Sequence, residues 1–183
     1  MRLAIVRPLL AVAACLCCTL PALAQAAHTV VPPAQVFDKL LTGEESEIVG
    51  LAEAMPAEHF NFAPDSKMGK FDGVRTFAAQ VKHLTEANYA FFSTWGIAGG
   101  KSRADIDKLV SREDILAALR ASYKFDHAAI ATITAENAFV DMNGKGTTRA
   151  GTAAYALAHN NDHYGQMVEY LRMNGEIPPA SRK

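Results

Sequence analysis

The sequence predicts an all-α protein, an antiparallel four-helix bundle, and three observations carry that reading. Four stretches place apolar residues at spacings of three and four, which draws one stripe along a helix. No stretch shows the apolar–polar alternation of a half-buried strand. Segments rich in Pro, Gly and Asp separate the four stretches and stop each helix. Helices of about 20 to 25 residues suit a bundle, and bundle cores commonly house metal sites.

The N-terminal segment stands apart from the bundle. "MRLAIVRPLLAVAACLCCTLPALAQA" has basic Arg2 and Arg7, an apolar run from Leu9 to Leu20, then Ala22-Leu23-Ala24. That is the layout of a signal peptide, residues 1–24, cleaved before Gln25. The run falls short of the roughly 20 residues needed to span a bilayer. A rival reading takes "VAAC" as a lipoprotein box with attachment at Cys15, but leaves a very short hydrophobic segment. Cleavage leaves residues 25–183 as a single domain of a size that can build a real core.

After "VVPPAQ", the first helix is expected over about Ala34–Met55, with Val36, Phe37, Leu40, Leu41, Ile48, Leu51 and Met55 as its stripe. Gly43 interrupts it and Pro56 stops it. The second runs over about Val74–Trp95, with Phe77, Val81, Leu84, Asn88, Phe91 and Trp95 on one face; "GIAGGKSRADID" then breaks the chain. The third opens at Ser111, which can cap free N–H groups, and Glu113 and Asp114 suit its positive first turn. It carries Ile115, Leu116, Leu119, Tyr123 and Ile130, to about Thr134. The fourth spans about Arg149–Met173 and ends at Asn174-Gly175, with Pro178-Pro179 beyond.

Composition excludes several functions. Cys15, Cys17 and Cys18 all lie in the segment expected to be removed, so no thiolate nucleophile, thiolate metal site or disulfide is expected in the mature chain. Removal of Arg2 and Arg7 leaves 16 basic against 19 acidic residues, a net charge of −3. Such a balance argues against nucleic acid as a partner.

The chemistry gathers on the fourth helix. Thr152, Ala156, His159, His163, Met167 and Tyr170 recur at helical spacing, so both histidines share a face with residues that point inward. Two imidazoles one turn apart can bind one ion, or can be packed histidines bonded to neighbours. Asn160 stands where HExxH needs Glu, no Glu-x-x-His occurs, and no Cys-x-x-Cys-His remains for haem. His83, on the second helix beside Ala79, Ala87 and Ala90, is the candidate third ligand. Small residues there would let another helix approach. His28, His59 and His127 read as surface histidines. Gly165 reads as a point of close packing, Gln166 as a bond to another helix, and Tyr155, Tyr164 and Tyr170 as core or boundary aromatics.

The segments "HLTEANYAFF" and "AHNNDHYGQMVEYLRMNGEIPPAS" resemble the second-helix histidine segment and the last-helix H-x-x-x-H segment of the DinB/YfiT-like family of metal-dependent four-helix proteins. The resemblance covers nearly all of the chain after residue 24. It implies that His83, His159 and His163 are the metal ligands. Three neutral imidazoles leave a coordination place open, and suit Zn, Ni, Fe or Cu. The ion could activate water or hold a substrate thiolate or oxyanion. Glu86, Asn88 and Asp162 are weak candidates for catalytic or supporting roles.

Some members of the family look like thiol transferases; export weakens that reading, because the usual cofactor thiols are cytosolic. The expectation is therefore an exported, periplasmic or secreted, metal-dependent hydrolase or transferase acting on an unknown small molecule, with no membrane association after processing. The alternative is a non-catalytic metal- or ligand-binding protein of the stress-response kind. A homodimer through exposed helix faces is an option that no sequence feature requires.

Overall fold

Apolar spacing becomes helix throughout the computed structural model of the chain, which describes residues 29–182. The signal-peptide segment and His28 lie outside the described residues. Five helices follow in order: α1 (Pro33–Ala54), α2 (Phe77–Phe91), α3 (Arg103–Asp107), α4 (Arg112–Ile130) and α5 (Arg149–Met173). There is no strand among the described residues, and none of their helices is long and apolar enough to cross a membrane.

The ends follow local chemistry. Thr76, Ser111 and Thr148 each accept a hydrogen bond from the backbone N–H three residues on, satisfying a donor that the helix cannot. Met55 turns extended (φ −72°, ψ 121°), as the residue before Pro56 must. α2 and α4 are shorter than their stripes suggested, because the chain leaves the helix at Phe92 and Ala131. Trp95 lies in the turn after α2 yet remains buried. Gly43 does not interrupt α1. The segment expected only to break the chain holds α3, fixed by a capping box between Ser102 and Asp105.

The core comprises Ile48, Leu51, Phe77, Val81, Leu84, Leu119, Tyr123, Met167 and Leu171, all fully buried, with further apolar residues around them. Three positions correct the sequence stripe of α1. Val36 and Leu40 are exposed, and Glu44 is buried at 6% exposure. The inward series runs Leu41, Glu44, Ile48, Leu51, Met55, so an acid occupies a core position.

The packing order around the bundle is α1, α4, α2, α5. α1 and α4 run antiparallel, with Asp38 against His127 at one end and the Glu53 carbonyl against Arg112 at the other. α2 and α5 are also antiparallel, from Gln80–Gln166 to Phe91–Tyr155. α2 and α4 run side by side in the same sense: Phe77 meets Phe60, which carries Arg112 on its face, while Asn88 meets Ser122. The chain must therefore return the length of α2, roughly 22 Å for 15 residues. The 92–111 connection makes that return. Ile106 anchors it in the core, and Lys82 Nζ donates to the carbonyls of Asp107 and Leu109.

Candidate metal centre

α5 carries His159 and His163 one turn apart, and α2 brings His83 against them from the antiparallel neighbour. Ring centroids lie 5.2 Å (His83–His159), 4.7 Å (His83–His163) and 4.6 Å (His159–His163) apart. One nitrogen from each ring lies within 4.8 Å of the other two, an arrangement that could hold a metal ion.

The donor chemistry fits a cation. Burial, followed by the charge of Arg75 and the neighbouring histidines, pushes His83 down to about 4; burial also lowers His163. Both are therefore neutral at pH 7, with lone pairs to offer. His163 Nδ1 is buried without a hydrogen-bond partner, which normally costs about 1–3 kcal/mol.

His159 is oriented from behind. Asn160 Nδ2 donates to Glu44 Oε1 and Asn88 Oδ1, both at 2.9 Å. Its Oδ1 must then face His159 Nδ1 at 3.2 Å, so that nitrogen carries the proton and Nε2 is left for a ligand role. Asn88 Nδ2 continues to Ser122 Oγ at 3.0 Å, and Tyr123 O–H donates to Glu44 Oε1 at 3.4 Å. This buried polar layer crosses all four long helices. Asn88 and Tyr123 lie on stripes drawn from the sequence, whereas Glu44, Ser122 and Asn160 are buried outside them; the blank at residue 44 in the α1 stripe was the available signal.

Burial raises Glu44 from 4.5 to about 7, against the lowering effect of the Asn160 and Tyr123 hydrogen bonds. Asp126, 1% exposed, is driven well upward by burial and then by the charge of Glu44. Between about pH 4.5 and 7 the folded chain thus holds more protons at Glu44 than the unfolded chain, and stability falls as pH rises across that window. In metal-stripped protein, the stability of Glu44→Gln relative to wild type should rise by on the order of 3 kcal/mol from pH 4.5 to 7 and level off above. Urea unfolding at stepped pH reads this directly. A pH-independent difference would mean that Glu44 titrates as an ordinary carboxylate.

His83 and His159 open on a cavity of about 1040 Å³. Ala79, Ala87 and Ala90 line it. The small face of α2 was expected to admit a closely packed helix; it borders space instead, closed on one side by residues of the 92–111 return. Glu86 also lines the cavity, one turn from His83 and 3.6 Å from Arg103. Its carboxyl is raised by burial and then by Asp107. Asn88 is fully buried in the polar layer, and Asp162 is exposed, accepting from Gln166 at 2.9 Å. Of the three supporting candidates, only Glu86 faces the cavity.

The other two described histidines stand apart. His127 bridges Asp38 (2.6 Å) and Glu45 (3.1 Å), and His59 lies in a 3-10 turn. Gln166 accepts from Gln80 Nε2 at 2.8 Å, the interhelix bond expected of it. Gly165 departs from expectation: a Cβ there would meet nothing within 4 Å, so close packing is not its reason. Tyr170 is buried, its hydroxyl donating to the Arg75 carbonyl, and Tyr164 is half-buried against the core. Tyr155 is 64% exposed and borders the cavity.

A family model described as the DinB superfamily matches residues 40–167, a span that contains all three histidines. No curated protein matches the chain.

Proposed function

This chain belongs to the DinB superfamily, and on that premise we propose that it is an exported metal-dependent enzyme acting on a small molecule. His83, His159 and His163 hold one divalent ion, Zn, Ni or Fe, and the reaction is a hydrolysis or a group transfer. One observation carries the reading: three imidazoles converge beside a cavity large enough for an organic substrate. A structural zinc usually fills four places with protein ligands, whereas a three-histidine set leaves one open. When bound, the ion supplies a Lewis-acid centre.

The chain's own groups have definable parts. Asn160 fixes the His159 ring through Nδ1, which leaves Nε2 as the nitrogen free for a ligand role. Glu86, its carboxyl raised and facing the cavity, is the group placed to move a proton at the substrate. The alanines of α2 leave room for the substrate, and Phe91 and Tyr155 wall one end. Export rests on the basic start, apolar run and Ala22-Leu23-Ala24 of the N-terminal segment.

Two measurements on protein from the native envelope, purified without a histidine tag, test the proposal. Elemental analysis should find one transition-metal ion per chain, and N-terminal sequencing should begin at Gln25. Absence of metal under every metal supply would sink the enzyme reading. A lipid-modified chain beginning at Cys15 would replace cleavage before Gln25 with membrane anchoring.

A further inference from the structure

The cavity beside the histidines has an unbalanced charge. Four cationic side chains line it, Arg75, Lys82, Lys101 and Arg103, against two acids, Glu86 and Asp107. Two of the cations are spoken for. Arg103 lies 3.6 Å from both Glu86 and Asp107, and Lys82 donates to two backbone carbonyls of the return segment. The side chains of Arg75 and Lys101 form no salt bridge or hydrogen bond among the described residues, although Lys101 lies near enough to Asp105 to help lower its carboxyl. They leave a surplus of two positive charges on a concave surface, where low-dielectric walls focus the field.

Much of the remaining lining is apolar, interrupted by the polar side chains of Asn61, Thr76, Ser93 and Ser102. Ala79, Ala87 and Ala90 clear one wall, Leu109 and Ile115 add further apolar surface, and the Phe91 ring stands edge-on to Tyr155 at 5.5 Å. At about 1040 Å³, the space far exceeds what an inorganic ion needs and sits at the upper end of small-molecule sites. Arg75 immediately precedes Thr76, the cap of α2, and lines the cavity.

We infer that this cavity binds an amphipathic organic anion, with Arg75 as the anchor of its carboxylate or phosphate group and the alanine wall against its apolar body. The inference names the substrate class for the function proposed above and rests on that reading for the reaction alone. The charge surplus belongs to the chain and exists without any ion. A guanidinium offers paired donors in the geometry a carboxylate or phosphate takes, which a lysine does not. Lys101 adds attraction at longer range.

Isothermal titration of the full chain, both zinc-loaded and metal-stripped, tests this with 4-phenylbutyrate, phenyl phosphate and neutral 4-phenylbutanamide. Both anions should bind the zinc-loaded protein at least roughly tenfold more tightly than the amide. Arg75→Ala should lose most of that preference while zinc content and amide affinity stay at wild-type values; Arg75→Lys should retain part of it. In metal-stripped protein a preference for the anions over the amide should persist, and should still depend on Arg75. Equal affinity for anion and amide, no binding of any probe, or a preference that survives Arg75→Ala overturns the inference. A preference found only with zinc present, and indifferent to Arg75, assigns the anion to the metal and likewise overturns it. Failure to take up zinc, with Arg75-dependent selectivity intact, refutes the metal reading and leaves the anion site standing.

Discussion

Replacing any one of His83, His159 and His163 by alanine should remove most of the bound metal. On the proposed reading, three imidazoles from two helices would form the ion's protein shell, and two imidazoles hold an exchangeable ion poorly. The loss should also appear as stability. An ion that binds only the folded chain stabilises it by about 2.7 kcal/mol when present at a hundred times its dissociation constant. Zinc should therefore raise the melting temperature of wild type and leave each single variant nearly unmoved. His59→Ala and His127→Ala are the controls: both should keep full metal content. The second removes the bridge to Asp38 and Glu45, and so is allowed some loss of stability. Acid should release the ion as protons compete for the imidazoles, below their ordinary value near 6.5. Full metal occupancy in both His159→Ala and His163→Ala would leave the pair as packed helix histidines.

Asn160→Ala should be the most damaging single change outside the ligands. It removes two donated bonds of 2.9 Å, to Glu44 and Asn88, and the 3.2 Å acceptor of His159. The acceptors left behind are buried, so the cost is their desolvation and not merely the bonds; about 2–4 kcal/mol is expected. Metal affinity should fall roughly tenfold or more, because the His159 ring loses the contact that sets its tautomer and angle. Asn161→Ala separates position from composition. Asn161 also reaches Glu44, at 3.1 Å, but is exposed, and its loss should cost under about 1 kcal/mol with metal binding intact. Urea unfolding and competitive zinc titration measure both. Wild-type stability and affinity in Asn160→Ala would remove the polar layer from any account of the site.

The sequence was legible where apolar residues and caps speak locally. Phe77, Val81 and Leu84 on α2, Ile115 to Tyr123 on α4 and the Ser111 cap lie where their pattern put them. The three histidines, separated by up to 80 positions, lie close together between α2 and α5. Glu44 and Asn160 were missed for one reason. Hydrophobic periodicity records what water excludes, whereas these side chains are buried because each satisfies the other. That reciprocity spans 116 residues and leaves no local trace except a gap in a stripe. The alanine face of α2 failed differently. Small side chains show that space exists beside a helix, but whether a helix or a cavity fills it depends on the path of the 92–111 return. Five residues of α3 are too short to announce that path by periodicity.

The same-sense alignment of α2 and α4 also bears on how the chain reaches its fold. No two long helices consecutive in sequence are antiparallel neighbours among the described residues: α1 pairs with α4 and α5, and α2 with α4 and α5. A helical hairpin, the cheapest local unit with which a bundle can begin, is therefore absent from the native arrangement. Every long-helix contact must close a loop of about 20 residues or more, and the α1–α5 contact must wait for nearly the whole chain to be made. Loop-closure entropy then precedes most of the burial that rewards it. This places the protein toward the slow side of helical folders, where rates fall as contacts become more distant in sequence. During synthesis, α1 would leave the ribosome long before α5 and wait with the Glu44 carboxyl still in water.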